Sequence, residues 1–434
     1  MTDAAGVPPA PEERAARLLE RLAAGGASAS QPGGASAGLP GGASETADAD
    51  RIVLVRAPGR VNLIGEHTDY NEGLVLPVAI DREIWIALQP WDEAMVELTS
   101  LDLSRTASFP LTGLTPNPAR TRSWIDYVAG TAWSMQEAGL PVRGFRGVLD
   151  STVPVGSGLS SSAALEMASS WALAAPGTPR PDAAIMAAIA QRAENRYVGV
   201  NCGIMDQFAS AAGRAGHALL IDCRANTFVP APMPADLSVV VCDTGSPRRL
   251  DSSAYNTRRS ECELGARLIA EREPGVRALR DVEPEMLARN REVLPEVVAM
   301  RCEHIVNEDV RVLATVEAMR EGDREALGRL FAASHASLRD LFQVSSPELD
   351  AMVGIAVSVP GVVGARMTGA GFGGCTVNLV ERGREEALRE AVMARYPGMT
   401  GLRPSVYAVT AVDGAGPLPG YQGRIEGGAG PKRG

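Results

Sequence analysis

The 434-residue chain has a single lysine, Lys432, among its 42 basic residues. That scarcity excludes several chemistries. A Walker A loop ends on a lysine, a protein kinase carries one on a strand, and a pyridoxal enzyme needs one for its Schiff base. None has a place in the body of this chain, so any phosphate must be held by backbone N–H groups, arginine, hydroxyls or a metal. Cysteine is sparse as well: six residues, at 202, 223, 242, 262, 302 and 375, form no C-x-x-C pair. They read as free thiols in a reducing compartment, not as a disulfide framework or zinc site. No apolar run approaches the ~20 residues of a membrane-spanning helix. The opening MTDAAGVPPAPEERAARLLERL has neither the basic start nor the apolar core of a secretory signal. A cytoplasmic protein without a membrane partner is expected. Acidic residues outnumber basic ones 52 to 42, for a net charge of −10. That balance argues against nucleic acid as a partner, yet permits a locally positive pocket.

Hydrophobic residues make up 45% and charged residues 22%, ordinary for a globular chain, and the length suits two or three domains. A short charged helix over 11–22 precedes an Ala/Gly/Ser/Pro stretch to residue 49. Residues 1–50 are expected to be a disordered extension whose removal costs little stability, and 414–434 a flexible tail. Within the body, 51–413, short strands dominate to residue 150 and helices dominate 254–357, before a closing ββαβ pattern. Such partial segregation favours α+β over a doubly wound parallel sheet. An N-terminal domain over 51–230 and a C-terminal domain over 231–413 are expected.

Four segments carry chemistry. In APGRVNLIGEHTDYNEG a strand delivers Glu66, His67, Thr68 and Asp69 in succession. Adjacent side chains point apart and suit the several hydroxyls of a polyol better than one metal ion, although a polar turn capping its own backbone would look the same. VPVGSGLSSSAALEMA places Gly156 and Gly158 before Ser160, Ser161 and Ser162 at the start of an apolar helix. Free N–H groups and the helix dipole make an anion site there, and a serine hydroxyl can reach Mg²⁺; a plain serine cap is the alternative. Glu194 and Asp206 lie 12 residues apart around CGIMDQ. A metal ligand and a base would fill those roles, and Asp206 as a simple helix cap is not excluded by spacing. Finally, Gly369, Gly371, Gly373 and Gly374 sit between two strands, forming a loop able to approach a ligand backbone-first, or merely a flexible hairpin. His304, His335 and Arg339 read as packing or interhelical residues, and Tyr255 as a packing residue whose hydroxyl could reach a pocket.

In this order the four segments resemble the GHMP small-molecule kinases over about 51–413, and GRVNLIGEHTDYNEG resembles the galactokinase branch in particular. PVGSGLSSSAA is similar to the family's phosphate motif and GARMTGAGFGGC to its C-terminal glycine motif. The resemblance implies an S5-like α+β N-terminal domain against a ferredoxin-like C-terminal domain, with the site between them. It implies phosphoryl transfer from ATP with Mg²⁺ to the anomeric hydroxyl of α-D-galactose, the first committed step of galactose catabolism by the Leloir pathway. Asp206 would be the base and Arg60 would stabilise the transition state. Glu66, His67, Thr68, Asp69, Gly203 and Tyr255 would bind the sugar. Gly156, Ser157, Gly158, Leu159, Ser160, Ser161 and Ser162 would wrap ATP, with Ser162 and Glu194 on Mg²⁺ and Gly369–Gly374 bordering the cleft. A monomer is expected. Related-sugar kinases and a non-catalytic sugar sensor are the rival readings, the latter weakened by the intact GLSSSAA run and Asp206. A mevalonate- or homoserine-type kinase has no reason to carry EHTDY.

Overall fold

A computed structural model describes residues 8–28, 51–116, 123–154, 156–175, 179–246 and 252–424. Helix α1 (Pro11–Ser28) precedes β1 (Arg51–Asn62), β2 (Leu74–Val75), β3 (Pro77–Trp91), β4 (Met95–Ser100) and β5 (Arg105–Pro110). Then come α2 (Trp124–Glu137), β6 (Gly144–Ser151), α3 (Ser161–Leu173), α4 (Ala183–Arg192), a π-helical turn over Ala193–Val198 and α5 (Met205–Ala212). Strands β7 (His217–Asp222), β8 (Thr227–Pro232) and β9 (Leu237–Asp243) lead to α6 (Ser252–Ala270), α7 (Pro284–Arg289), α8 (Glu296–Glu321), α9 (Arg324–Ser337) and α10 (Pro347–Val357). The chain continues with β10 (Val362–Thr368), β11 (Cys375–Glu381), α11 (Glu385–Thr400), β12 (Ser405–Val409) and β13 (Gly416–Arg424).

The described residues form three sheets. One is six-stranded, β13-β1-β3-β6-β4-β5, and one is three-stranded, β2-β7-β8. The third, β10-β11-β9-β12, is antiparallel throughout, the ferredoxin-like order that the resemblance implies. Alternation explains the packing. Val55, Ala57 and Val61 on β1 and Val78, Ile80, Ile84 and Ile86 on β3 bury one face against α2 and α3. The same cluster runs on through Val239 and Val241 of β9 and Val377 and Leu379 of β11, so a single core joins the two halves. No helix among the described residues is long and apolar enough to cross a membrane.

Two expectations are corrected. Disorder over 1–50 does not hold for α1. Its Ala15, Leu18 and Leu22 recur at helical spacing and pack on Leu54, Trp85, Ala87 and Val148, on the sheet face away from α3. Arg14 lies over the Trp85 ring at 4.5 Å, pairs with buried Asp150 and donates to the Glu83 and Asp150 carbonyls at 2.7 and 2.9 Å. A high charge density masked this narrow apolar stripe. The expected flexible tail is likewise a strand over 416–424: β13 pairs with β1, Arg51 facing Arg424 and Val55 facing Pro417. Its glycines and prolines suggest a loop, yet prolines are tolerated on an edge strand. The rest of the N-terminal extension (29–50) and of the tail (425–434) lies outside the described residues.

Candidate active site

The site is built where β1 ends. Strand β1 bulges against β3 between Pro58 and Gly59. A Cβ on Gly59 would stand 2.4 Å from the Leu159 carbonyl oxygen, so glycine lets the serine-rich loop lie directly on the strand. The Arg60 N–H then donates to Leu159 O at 3.1 Å. The loop gets its tight path from Gly156, Gly158 and Ser160, with φ of 76°, 86° and 61°, and delivers the N-terminus of α3 with Ser161 and Ser162 in its first turn.

The Arg60 side chain spans the loop and α5. Its Nε and Nη2 each donate to Asp206 at 2.8 Å, a bidentate pair, while Nη1 donates to Gly158 O. Ser160 Oγ donates to Asp206 Oδ2. Asp206 stands in the first turn of α5, past the N-cap Ile204, and its carboxylate is turned to Arg60 and Ser160, which argues against the simple helix-cap reading.

The glycine loop 369–374 meets both other loops. Cys375 Sγ donates to Ser157 O at 3.0 Å, Gly369 N–H donates to Glu66 Oε1 at 3.0 Å, and His67 Nε2 lies 3.3 Å from Ala370 O. Four glycines and Phe372 all have positive φ here, a run that few other sequences could adopt.

Within the 66–73 loop the expected sugar contacts separate. Asp69 is partly exposed. Burial, then the neighbouring Asp206 charge, pushes its carboxyl up to about 6. A Cβ on Gly203 would fall 1.7 Å from Asp69 Oδ2, which accounts for glycine there. His67 is held at φ 66° and burial lowers its pKa to about 3. It is therefore neutral, with Nδ1 2.9 Å from Tyr70 OH. Its ring centroid lies 5.7 Å from that of Tyr255, which also flanks Tyr70 at 5.4 Å. Glu66 is buried and spoken for, pairing with Arg366 through Oε2. Thr68 Oγ1 turns inward, 2.9 and 2.6 Å from the Gly65 and Leu74 carbonyl oxygens. The side-chain oxygens of these two residues are already hydrogen-bonded within the protein, and they shape the loop.

Glu194 comes from the π-helical turn and is 5% exposed. Burial, and next the Asp206 charge, pushes it up to about 7, and Ser162 hydrogen-bonds to it. Gln207 Nε2 donates to Glu194 at 2.7 Å and to buried Glu166 at 3.2 Å. Among the described residues no three His, Cys, Asp or Glu side chains form a metal cage. A hydroxyl and a carboxylate at a phosphate loop are the hard oxygen donors that Mg²⁺ takes when phosphates and water complete its shell, so Ser162 and Glu194 fit that ion.

Sequence reasoning missed Arg366, Glu308, Asp309, Gln207 and Glu166. An arginine inside the apolar strand GARMT was the available signal for the first, since an unpaired buried guanidinium is not tolerated. Gln207 and Glu166 sit beside motif residues but carry no diagnostic spacing.

The chain matches the galactokinase galactose-binding signature over residues 44–90, the GHMP kinases N terminal domain over 126–214 and the GHMP kinases C terminal domain over 315–398. Galactokinase from Roseiflexus sp. (strain RS-1) is 45% identical over 364 residues, covering 84% of this chain and 92% of that protein. Galactokinase from Chloroflexus aurantiacus is 44% identical, covering 84% and 92%. Lactococcus lactis galactokinase, solved with galactose, superposes with a TM-score of 0.80 at 33% identity, over 85% of this chain and 95% of that one. The Methanococcus jannaschii mevalonate kinase, at 19% identity and a TM-score of 0.60, shares the fold.

Proposed function

The chain belongs to the galactokinase family, and from that premise we propose that it transfers the γ-phosphoryl group of ATP to the anomeric hydroxyl of α-D-galactose. The observation that carries the reading is the Arg60–Asp206 ion pair, tied to Gly158 and Ser160, at the junction of an anion-binding helix start and an acid-rich polyol loop. Phosphoryl transfer needs positioning and charge neutralisation more than covalent chemistry. Asp206 accepts the hydrogen bond of the anomeric hydroxyl and takes its proton as the oxygen attacks phosphorus. Arg60, already fixed by that carboxylate, sets positive charge where the transferring oxygens gather it. The backbone N–H groups of 156–162 hold the phosphates in place of a lysine. Ser162 and Glu194 would hold Mg²⁺, which supplies charge neutralisation on the phosphate oxygens. Asp69 accepts sugar hydroxyls, Tyr255 and neutral His67 wall the pocket, and Gly369–Gly374 close its border. The same reading makes the protein a cytoplasmic monomer with its two domains dividing near residue 230.

ADP release from MgATP in the presence of galactose tests the proposal. A further expectation concerns pH. Because the carboxyl of Asp69 is raised to about 6, lowering the pH through 6 protonates it and removes an acceptor. The value of kcat/KM for galactose, which reports the free enzyme, should fall as pH drops below about 6. A profile flat down to pH 5 would argue against Asp69 as a sugar acceptor.

A further inference from the structure

We infer that one turn of α8, His304 to Asp309, acts with Arg366 of β10 as a template that sets the shape of the 65–74 loop, and so the affinity for the sugar. The inference rests on the galactose reading above. The loop runs through φ values of 99° at Gly65, 66° at His67 and 61° at Glu72. The two non-glycine values are conformations that L side chains disfavour and that persist only when surroundings enforce them.

The enforcement comes from the far half of the chain. Glu308 Oε1 accepts from Gly65 N–H at 3.1 Å, His304 Nε2 lies 3.2 Å from Glu66 O, and Asp309 Oδ1 accepts from Leu74 N–H at 2.7 Å. The entry, the bend and the exit of the loop are thus each bonded to one helical turn. Arg366 adds a bond to Leu63 O at 2.8 Å and the pair with Glu66. The anchors are themselves fixed. His304 Nδ1 meets Ser337 Oγ at 2.8 Å, and Glu308 takes bonds from Arg311 and Ser334 at 2.6 Å each. Phe342 packs between the His304 and His67 rings, at 4.6 and 4.7 Å.

Gly73 supports the template independently. A Cβ there would stand 2.6 Å from Asp309 Oδ1 and 2.8 Å from Thr68 Cβ, so the loop exit is fitted to the helix. These anchor bonds run to the sugar loop and the strand before it, and the nucleotide loop takes none of them. His304, Glu308, Asp309 and Arg366 are positioning residues, since they act through the loop without touching substrate.

The test compares Asp309→Ala and Asp309→Asn in the full chain. Asp309 is partly exposed, and asparagine keeps the acceptor oxygen. Losing a hydrogen bond to a charged group should raise KM for galactose about tenfold in Asp309→Ala, leave KM for MgATP within about twofold, and be largely rescued in Asp309→Asn. Should Asp309→Ala lose its cooperative melting transition, His304→Phe, which keeps the ring beside Phe342 but not the bond to Glu66 O, reads the same split. A galactose KM within twofold of wild type, an equal rise in both KM values, or an asparagine variant as impaired as alanine would overturn the template. Wild-type protein silent on galactose would overturn the functional reading and the template together. An active wild type with an unchanged Asp309→Ala KM would overturn the template alone.

Discussion

Asp206→Asn should reduce turnover by roughly 10³-fold, in the range general-base removal produces, while galactose still binds. Both carboxylate oxygens of Asp206 are engaged, each within 2.8 Å of Arg60, with Ser160 on Oδ2. Asparagine has nearly the same shape but presents an NH₂ group where an acceptor is needed, so it can neither take the anomeric proton nor hold the guanidinium at two points. The fold should survive, because the Asp206 side chain is 26% exposed and its helix is packed through Phe208 and Ala209. The check is kcat from coupled ADP release beside galactose affinity from calorimetry. A kcat within tenfold of wild type would remove Asp206 from the chemistry.

Removing the chain through Ser28 should lower the melting temperature by on the order of 10–40 °C. Deletion exposes the sheet face under Leu18 and Leu22, each contributing about 1.5–3 kcal/mol of burial. It also takes Arg14 from Asp150, which is 1% exposed, and breaking a buried pair costs roughly 3–5 kcal/mol. Each lost kcal/mol is worth about 2–4 °C in a domain of this size class. The change in direction from the composition-based expectation is physical. A twelve-residue average over PEERAARLLERL is polar, whereas the face that docks holds only alanine, leucine and the shaft of an arginine. Thermal melts of the truncated and full chains decide the matter, and an unchanged transition would contradict the docking.

Much of the site was legible because it is local. The phosphate loop, the acid-rich loop and the glycine loop are each contiguous, and their backbone requirements are written as glycine and serine at fixed positions. Gly203 and Gly59 were legible only through resemblance or not at all, since a glycine demanded by close approach looks like any other until its neighbour is placed. The separation of Glu66 and Thr68 from Asp69 was illegible for the same reason. Alternate side chains of one run face different elements, and Arg366 lies 300 residues away from the carboxylate it pairs with. The α8 turn belongs to this class. His304 looked like a mid-helix packing residue, and its bond to Glu66 O spans 238 residues. Strand β13 was hidden by composition, because an edge strand needs backbone pairing more than apolar side chains.

Transfer to the anomeric hydroxyl of galactose is tested by coupled ADP release with MgATP across galactose, glucose, N-acetylgalactosamine, galacturonate, arabinose and mevalonate, with phosphorus NMR of the product. Turnover should be confined to galactose and its close deoxy relatives, with the product phosphorus coupled to the anomeric proton. Faster turnover on another substrate, a phosphate on any other hydroxyl, or binding of galactose with no ADP released would contradict it.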